Sequence, residues 1–400
     1  MRDFDPGLIG LLLAAAGIHL HARYSSTPLL PLLVWLSVAS APLGAAGPST
    51  LDLADCRLEH PSGLRSVAAR CGYLEVAENP ADLRGRKIRV HVAVISALSK
   101  KAAAEPLFIV AGGPGSAASQ LYASAADAFE RIRRNRDLVV VDQRGTGLSN
   151  PLDCDYPEDV DSGQLSMEKL RELTLACRNK LNAQLAYYTT SVAIHDLDQV
   201  RAVLGYQRIA LYGASYGTRV VEHYARRFAA RTHAVILDGV VVPELPIGPA
   251  IALDAQSALD RILAACAHDR ACAQAFPDLA ARFGSLLDSI TREQRVLELA
   301  DPLTGRLQKI EVTRDHLVSA VRLLSYNSAT IAVLPLLIDE AARDNLAPLV
   351  AQSIMTTRAL ADQMWIGMHN SVVCAEDVPF FSSANVDRGA LARTFIGTNQ

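Results

Sequence analysis

The sequence predicts an α/β fold, a doubly wound and mostly parallel sheet followed by a helical module. Three observations carry this expectation. Four short apolar runs, Leu107–Ala111, Leu138–Val141, Ile209–Tyr212 and Ala234–Leu237, each stop at glycine or aspartate. Helical segments such as Ala193–Leu204 and Thr218–Phe228 lie between or after them. From Leu245 the texture changes to Ala, Leu, Asp and Arg at helical spacing. Parallel strands covered on both faces read as continuous apolar runs, and strands alternating with helices build such a sheet.

Taken in order, the chain begins with residues 1–46, whose only charges are Arg2, Asp3, Asp5 and Arg23. The run Leu29–Ala46 follows Arg23 and ends in small residues. It is expected to be a signal-peptide core with export to the periplasm or outside the cell, or an uncleaved anchor that would be the chain's membrane contact. Residues 47–244 form the predicted sheet domain. Its strands start with Gly72–Val76 and Lys87–Ile95, the second alternating cleanly through Ile88, Val90, Val92 and Val94. The four continuous runs follow, Ala234–Leu237 being the last of six. Residues 245–400 are predicted as a helical cap, with helices over Ala250–Cys266, Ala280–Thr291, Arg314–Tyr326, Ile331–Asp344 and Leu346–Met364. Comparable strand alternation is not expected there.

Half of the 400 residues are hydrophobic and a fifth charged, which excludes a disordered chain. The net charge of −3 comes without a basic block, so no nucleic-acid partner is expected. Six of the seven cysteines fall into neighbouring pairs: Cys56 and Cys71, Cys154 and Cys177, Cys266 and Cys272. In an oxidising compartment neighbour pairing is the simplest expectation, although spacing alone leaves connectivity open. Cys374 has no obvious partner. The cysteines and histidines lack metal-ligand spacing, and no metal or organic cofactor is expected.

The motif that carries chemistry is Gly213-Ala214-Ser215-Tyr216-Gly217. An apolar strand precedes it and a helical segment follows, the context that a nucleophile elbow requires. Glycines two residues either side of the serine let strand and helix approach closely, and the helix N-terminus favours developing negative charge. Gly112-Gly113-Pro114-Gly115 ends an earlier strand, where backbone N–H groups can approach a substrate oxygen. The N–H groups of Gly113 and Tyr216 are the candidate oxyanion donors. Asp142 and Arg144 read as a braced strand-end turn, and Asp238 as a turn residue.

These segments, with Asp142-Gln143-Arg144-Gly145-Thr146-Gly147, Leu237-Asp238-Gly239 and Val372-Val373-Cys374-Ala375-Glu376-Asp377, resemble the secreted α/β-hydrolase serine peptidases of the tripeptidyl-aminopeptidase and proline-iminopeptidase type. The resemblance runs from about Cys56 to the last residue. It implies an α/β-hydrolase fold with a helical cap, an acyl-enzyme on Ser215, and removal of residues or short peptides from free N-termini. Its substrate is a peptide or a small amide or ester. Glu376 is the candidate contact for a substrate ammonium. The alternatives are an esterase or other small-molecule hydrolase on the same fold, or a non-catalytic truncated product. The resemblance puts the triad Asp and His on two strands after the cap. This chain stops at Gln400, so those strands, the triad partners and a partner for Cys374 are expected beyond it. His369 is the least implausible substitute base within the chain, and no histidine here is assigned to the triad.

Overall fold

The computed structural model describes residues 51–63, 65–154, 166–248, 250–381 and 387–397. The leader expected over residues 1–46 lies outside them. Three antiparallel strands come first: β1 (Ala54–Glu59), β2 (Ser66–Ala77) and β3 (Lys87–Ile95). Then strands and helices alternate: β4 (Leu107–Val110), α1 (Ala118–Arg133), β5 (Leu138–Val141), α2 (Met167–Lys180), α3 (Thr190–Val203), β6 (Ile209–Ala214), α4 (Tyr216–Arg227) and β7 (Thr232–Asp238). The seven strands form one sheet in the order β1-β2-β3-β5-β4-β6-β7. From β5 to β7 every pairing is parallel.

The central strands need apolar residues at every position because the sheet is covered on both faces. Successive residues of β4 and β5 feed opposite clusters. Phe108, Val110, Val139 and Val141 pack with Val200, Val220 and Tyr224 of α3 and α4. Ile109, Leu138 and Val140 pack with Tyr122 and Phe129 of α1 on the other face. Each such side chain contributes about 1.5–3 kcal/mol by leaving water.

Two expectations for this domain need correction. Ala234–Leu237 reads as a strand covered on both faces, yet β7 is the sheet edge and leaves Val235 and Ile236 42% and 44% exposed. Strand β1 escapes prediction because only Leu58 of it is fully buried, so Asp55, Arg57 and Glu59 break the apolar pattern. A disulfide from Cys56 to Cys71 joins it to β2. Disulfides also join Cys154 to Cys177 and Cys266 to Cys272, while Cys374 is a free, exposed thiol.

The second half continues with α5 (Ile251–His268), α6 (Arg270–Ala275), α7 (Leu279–Arg292), β8 (Arg295–Ala300), β9 (Leu307–Val312), α8 (Arg314–Leu324), α9 (Ser328–Ile331), α10 (Leu334–Ala342), α11 (Ala347–Ala361), α12 (Ile366–Glu376) and α13 (Arg388–Ala392). Most of it surrounds its own core, including Leu259, Phe283, Leu317, Val321 and Leu349. The antiparallel hairpin β8–β9 corrects the purely helical expectation. Arg295, Leu297 and Leu299 alternate inward there, a weak period-2 signal inside an Ala/Leu-rich stretch. Helix α12 packs against the sheet: its Met368 and Val372 share a core with Leu152 and Tyr188. No helix among the described residues is long and apolar enough to cross a membrane.

Candidate active site

Strand β4 lies between β5 and β6, so the connection after β4 runs to β5 on one side and the connection after β5 crosses back past β4 to β6 on the other. Such a reversal of strand order opens a crevice at the carboxyl ends of a parallel sheet. Val110 pairs with Gly213, and Ala214 with Asp238. The Gly112–Gly115 loop and the Gly213–Gly217 turn therefore emerge side by side.

Ser215 occupies the turn with φ +54° and ψ −123°, a backbone state that a side chain tolerates only under tertiary constraint. The constraint is visible. The Ser215 N–H donates to the Asp238 carbonyl at 2.8 Å, and the Ser215 carbonyl accepts from the Thr218 N–H at 2.9 Å and the Thr218 hydroxyl at 2.7 Å. A methyl group on Gly217 would lie 2.6 Å from the Val110 carbonyl oxygen, so only glycine lets α4 seat this close to β4. Ser215 is exposed above the sheet, at the N-terminus of α4. Among the described residues its hydroxyl has no hydrogen-bond partner, and none of the described histidines bonds to it. His91 is buried against Asp142, and His369 bonds to the Pro114 carbonyl at 3.0 Å. Burial pushes His369 below the usual imidazole range, an effect its bond to Pro114 opposes.

Gly113, at φ +107°, sits in the loop facing Ser215, and a methyl on Gly112 would be 2.9 Å from the Ser215 Cβ. Tyr216, the other candidate donor, is the first residue of α4 and is 1% exposed. Its hydroxyl meets the Thr190 hydroxyl at 2.6 Å and accepts from the Gln143 amide at 3.3 Å. Burial, then the Glu376 charge, push this phenol well above its ordinary range, so it stays protonated.

Glu376 is distant in sequence but joins the same network. Its two oxygens accept from the Thr190 N–H and the Thr190 hydroxyl, both at 2.6 Å. It thus caps the N-terminus of α3, where a carboxylate is favoured. Asp142 accepts from Ser119 N–H and hydroxyl and contacts His91. Arg144 grips Asp196 through two bonds of 2.7 and 2.8 Å and also reaches the Glu78 and Tyr187 carbonyls. These contacts brace the turn after β5. Asp238 accepts from the Tyr212 hydroxyl at 2.6 Å. Ser215, Gly113 and Tyr216 are thus brought together. Thr190 and the His369 contact go unnoticed in the sequence, because no local motif marks them, and Gln143 stands in a motif that gives it no role of its own.

Residues 105–275 match the family profile described as alpha/beta hydrolase fold. The chain is 27% identical over 374 residues to serine protease Hip1 of Mycobacterium tuberculosis, covering 83% of this chain and 68% of that protein. It is 28% identical over 226 residues to a tripeptidyl aminopeptidase of Streptomyces coelicolor, covering 52% of this chain and 40% of that one. It is 27% identical over 221 residues to YuaR of Escherichia coli (strain K12), described as a hydrolase, covering 50% of this chain and 43% of that one. The chain thus spans less than half the length of the last two relatives. The strand order, the turn between β6 and α4 and the profile match over residues 105–275 make this a protein of the α/β-hydrolase fold.

Proposed function

We propose that the protein is an exported serine hydrolase of peptidase type, removing residues or short peptides from free N-termini. The observation that carries this reading is the exposed Ser215 at positive φ on a strand-to-helix turn beside the Gly112–Gly115 loop. Ser215 would attack a carbonyl to form an acyl-enzyme. The N–H groups of Gly113 and Tyr216 would hold the oxyanion, and loss of one such donor costs about 10²–10³ in turnover. Three disulfides suit an oxidising compartment. Similarity to a serine protease and an aminopeptidase supports a peptide substrate over an ester.

In this reading the triad acid and base come from chain that follows Gln400 and covers the apolar edge at β7. Exposed Val235 and Ile236, with no described histidine bonded to Ser215, favour it. The test is a fluorophosphonate probe on the 400-residue chain and on the chain extended by whatever reading frame follows. The expected result is weak labelling of the first and strong, Ser215→Ala-sensitive labelling of the second. Aminoacyl amides with free and blocked N-termini, run beside short-chain esters, assign the substrate. Equal turnover of blocked amides, or of esters alone, would remove the aminopeptidase reading.

A further inference from the structure

We infer that α12 is a strut for the oxyanion hole, and that His369 and Glu376 are the positioning residues through which it holds the two N–H donors. The inference rests on the proposed roles of Gly113 and Tyr216. The two residues are seven apart, so they lie near one face of the helix about 10 Å from each other.

At the first end, α12 holds the Gly112–Gly115 loop. The His369 ring contacts the Pro114 carbonyl through Nδ1 at 3.0 Å. A carbonyl only accepts, so Nδ1 carries the proton. The Trp365 N–H donates to the Gly115 carbonyl at 2.9 Å. A methyl on Gly115 would lie 2.9 Å from the Trp365 carbonyl oxygen and 3.4 Å from the His369 Cβ, so the loop rests directly on the helix.

At the second end, Glu376 reaches Tyr216 through Thr190. A carboxylate only accepts, so the Thr190 hydroxyl spends its single proton on Glu376. Tyr216 must then donate to Thr190, and Gln143 donates to Tyr216. Every bond in the chain Gln143, Tyr216, Thr190, Glu376 runs one way and ends on the charge. Aligned chains of this kind reinforce one another in a buried setting. Tyr216 and Thr190 are 1% and 2% exposed, so the Tyr216 ring has one place to go. The next residue, Asp377, accepts from Arg219 of α4 twice at 3.0 Å and from the Ile247 N–H at 2.7 Å. Buried Met368 and Val372 fix the helix between its two ends.

The test uses His369→Leu, His369→Asn, Thr190→Val and Glu376→Gln. Asn keeps a donor near the Nδ1 position. Val removes the Thr190 hydroxyl but keeps its N–H. Two readouts are taken: hydrogen exchange in peptides spanning residues 111–117 and 214–218, and the labelling rate of Ser215 split into maximal rate and probe affinity. Expected is exchange about tenfold faster at 111–117 in His369→Leu, restored in His369→Asn, and a similar rise at 214–218 in Thr190→Val and Glu376→Gln. Maximal labelling rate falls about 10–100-fold with probe affinity unchanged, as for misplaced catalytic donors. Unchanged exchange in His369→Leu and Thr190→Val overturns the strut, as does a His369→Asn variant as impaired as His369→Leu. So does a Glu376→Gln variant that alters only the preference for free N-termini. Absence of Ser215 labelling in the wild-type and extended chains sinks the nucleophile reading instead, while the exchange results still decide the strut.

Discussion

Replacing Arg144 by Met leaves the buried Asp196 carboxylate without its cation. Arg144 is 1% exposed and Asp196 3%, and two bonds of 2.7 and 2.8 Å join them. Met fills much of the volume, so the loss is electrostatic rather than a cavity. Breaking one side of a buried pair costs about 3–5 kcal/mol. Arg144 also satisfies the Glu78 and Tyr187 carbonyls, which places the expected loss at the upper end. The loss carries a pH signature. Burial already pushes the Asp196 carboxyl upward, and Arg144 opposes it. Without Arg144 the folded pKa climbs further above the unfolded value near 3.9. The folded state then binds the extra proton more readily, so the variant is most stable below that unfolded value and loses stability as pH rises through the raised folded pKa. Urea unfolding of wild type and Arg144→Met at pH 5 and pH 8 reads both effects. The deficit should be smaller at pH 5. A deficit below about 1 kcal/mol, or one that does not change with pH, refutes the reasoning.

Gly217→Ala forces a methyl to within 2.7 Å of both the Val110 and Ala111 carbonyl oxygens. Backbone must move, at about 1–3 kcal/mol, and Ser215 labelling in the active chain should fall at least tenfold. Labelling at the wild-type rate would mean the close approach of α4 to β4 does not set the serine. Replacing Cys154 and Cys177 together by Ser opens a link between residues 23 apart. Loop-closure entropy then predicts a loss of about 3 kcal/mol, read as a lower urea midpoint under oxidising conditions. An unchanged midpoint under those conditions would count against the link.

How much of the molecule is legible in advance depends on where each element gets its stability. Strands β3, β4 and β5 are read almost residue for residue, because burial on the sheet demands apolar side chains in a pattern the chain must write locally. The serine turn is legible for a similar reason. Its positive φ and tight packing leave glycine as the residue that fits at Gly213 and Gly217, and that requirement is spelled out within five positions. Strand β1 and the β8–β9 hairpin are not legible, since neighbours supply their pairing and their own sequences are half polar.

The partners of the turn belong to tertiary structure alone. His369 meets Pro114 across 255 residues, Glu376 meets Thr190 across 186, and Arg144 meets Asp196 across 52. A histidine, a glutamate and an arginine have no local spacing that announces such contacts. Read from the chain, Glu376 is a candidate contact for a substrate ammonium on a cap; in the fold its two oxygens accept from Thr190, and it ends a hydrogen-bond chain that includes the Tyr216 hydroxyl. Backbone conformation is a short-range demand that a sequence records directly. The pairing of polar groups is a long-range one, decided when the sheet and α12 bring them into the same buried space.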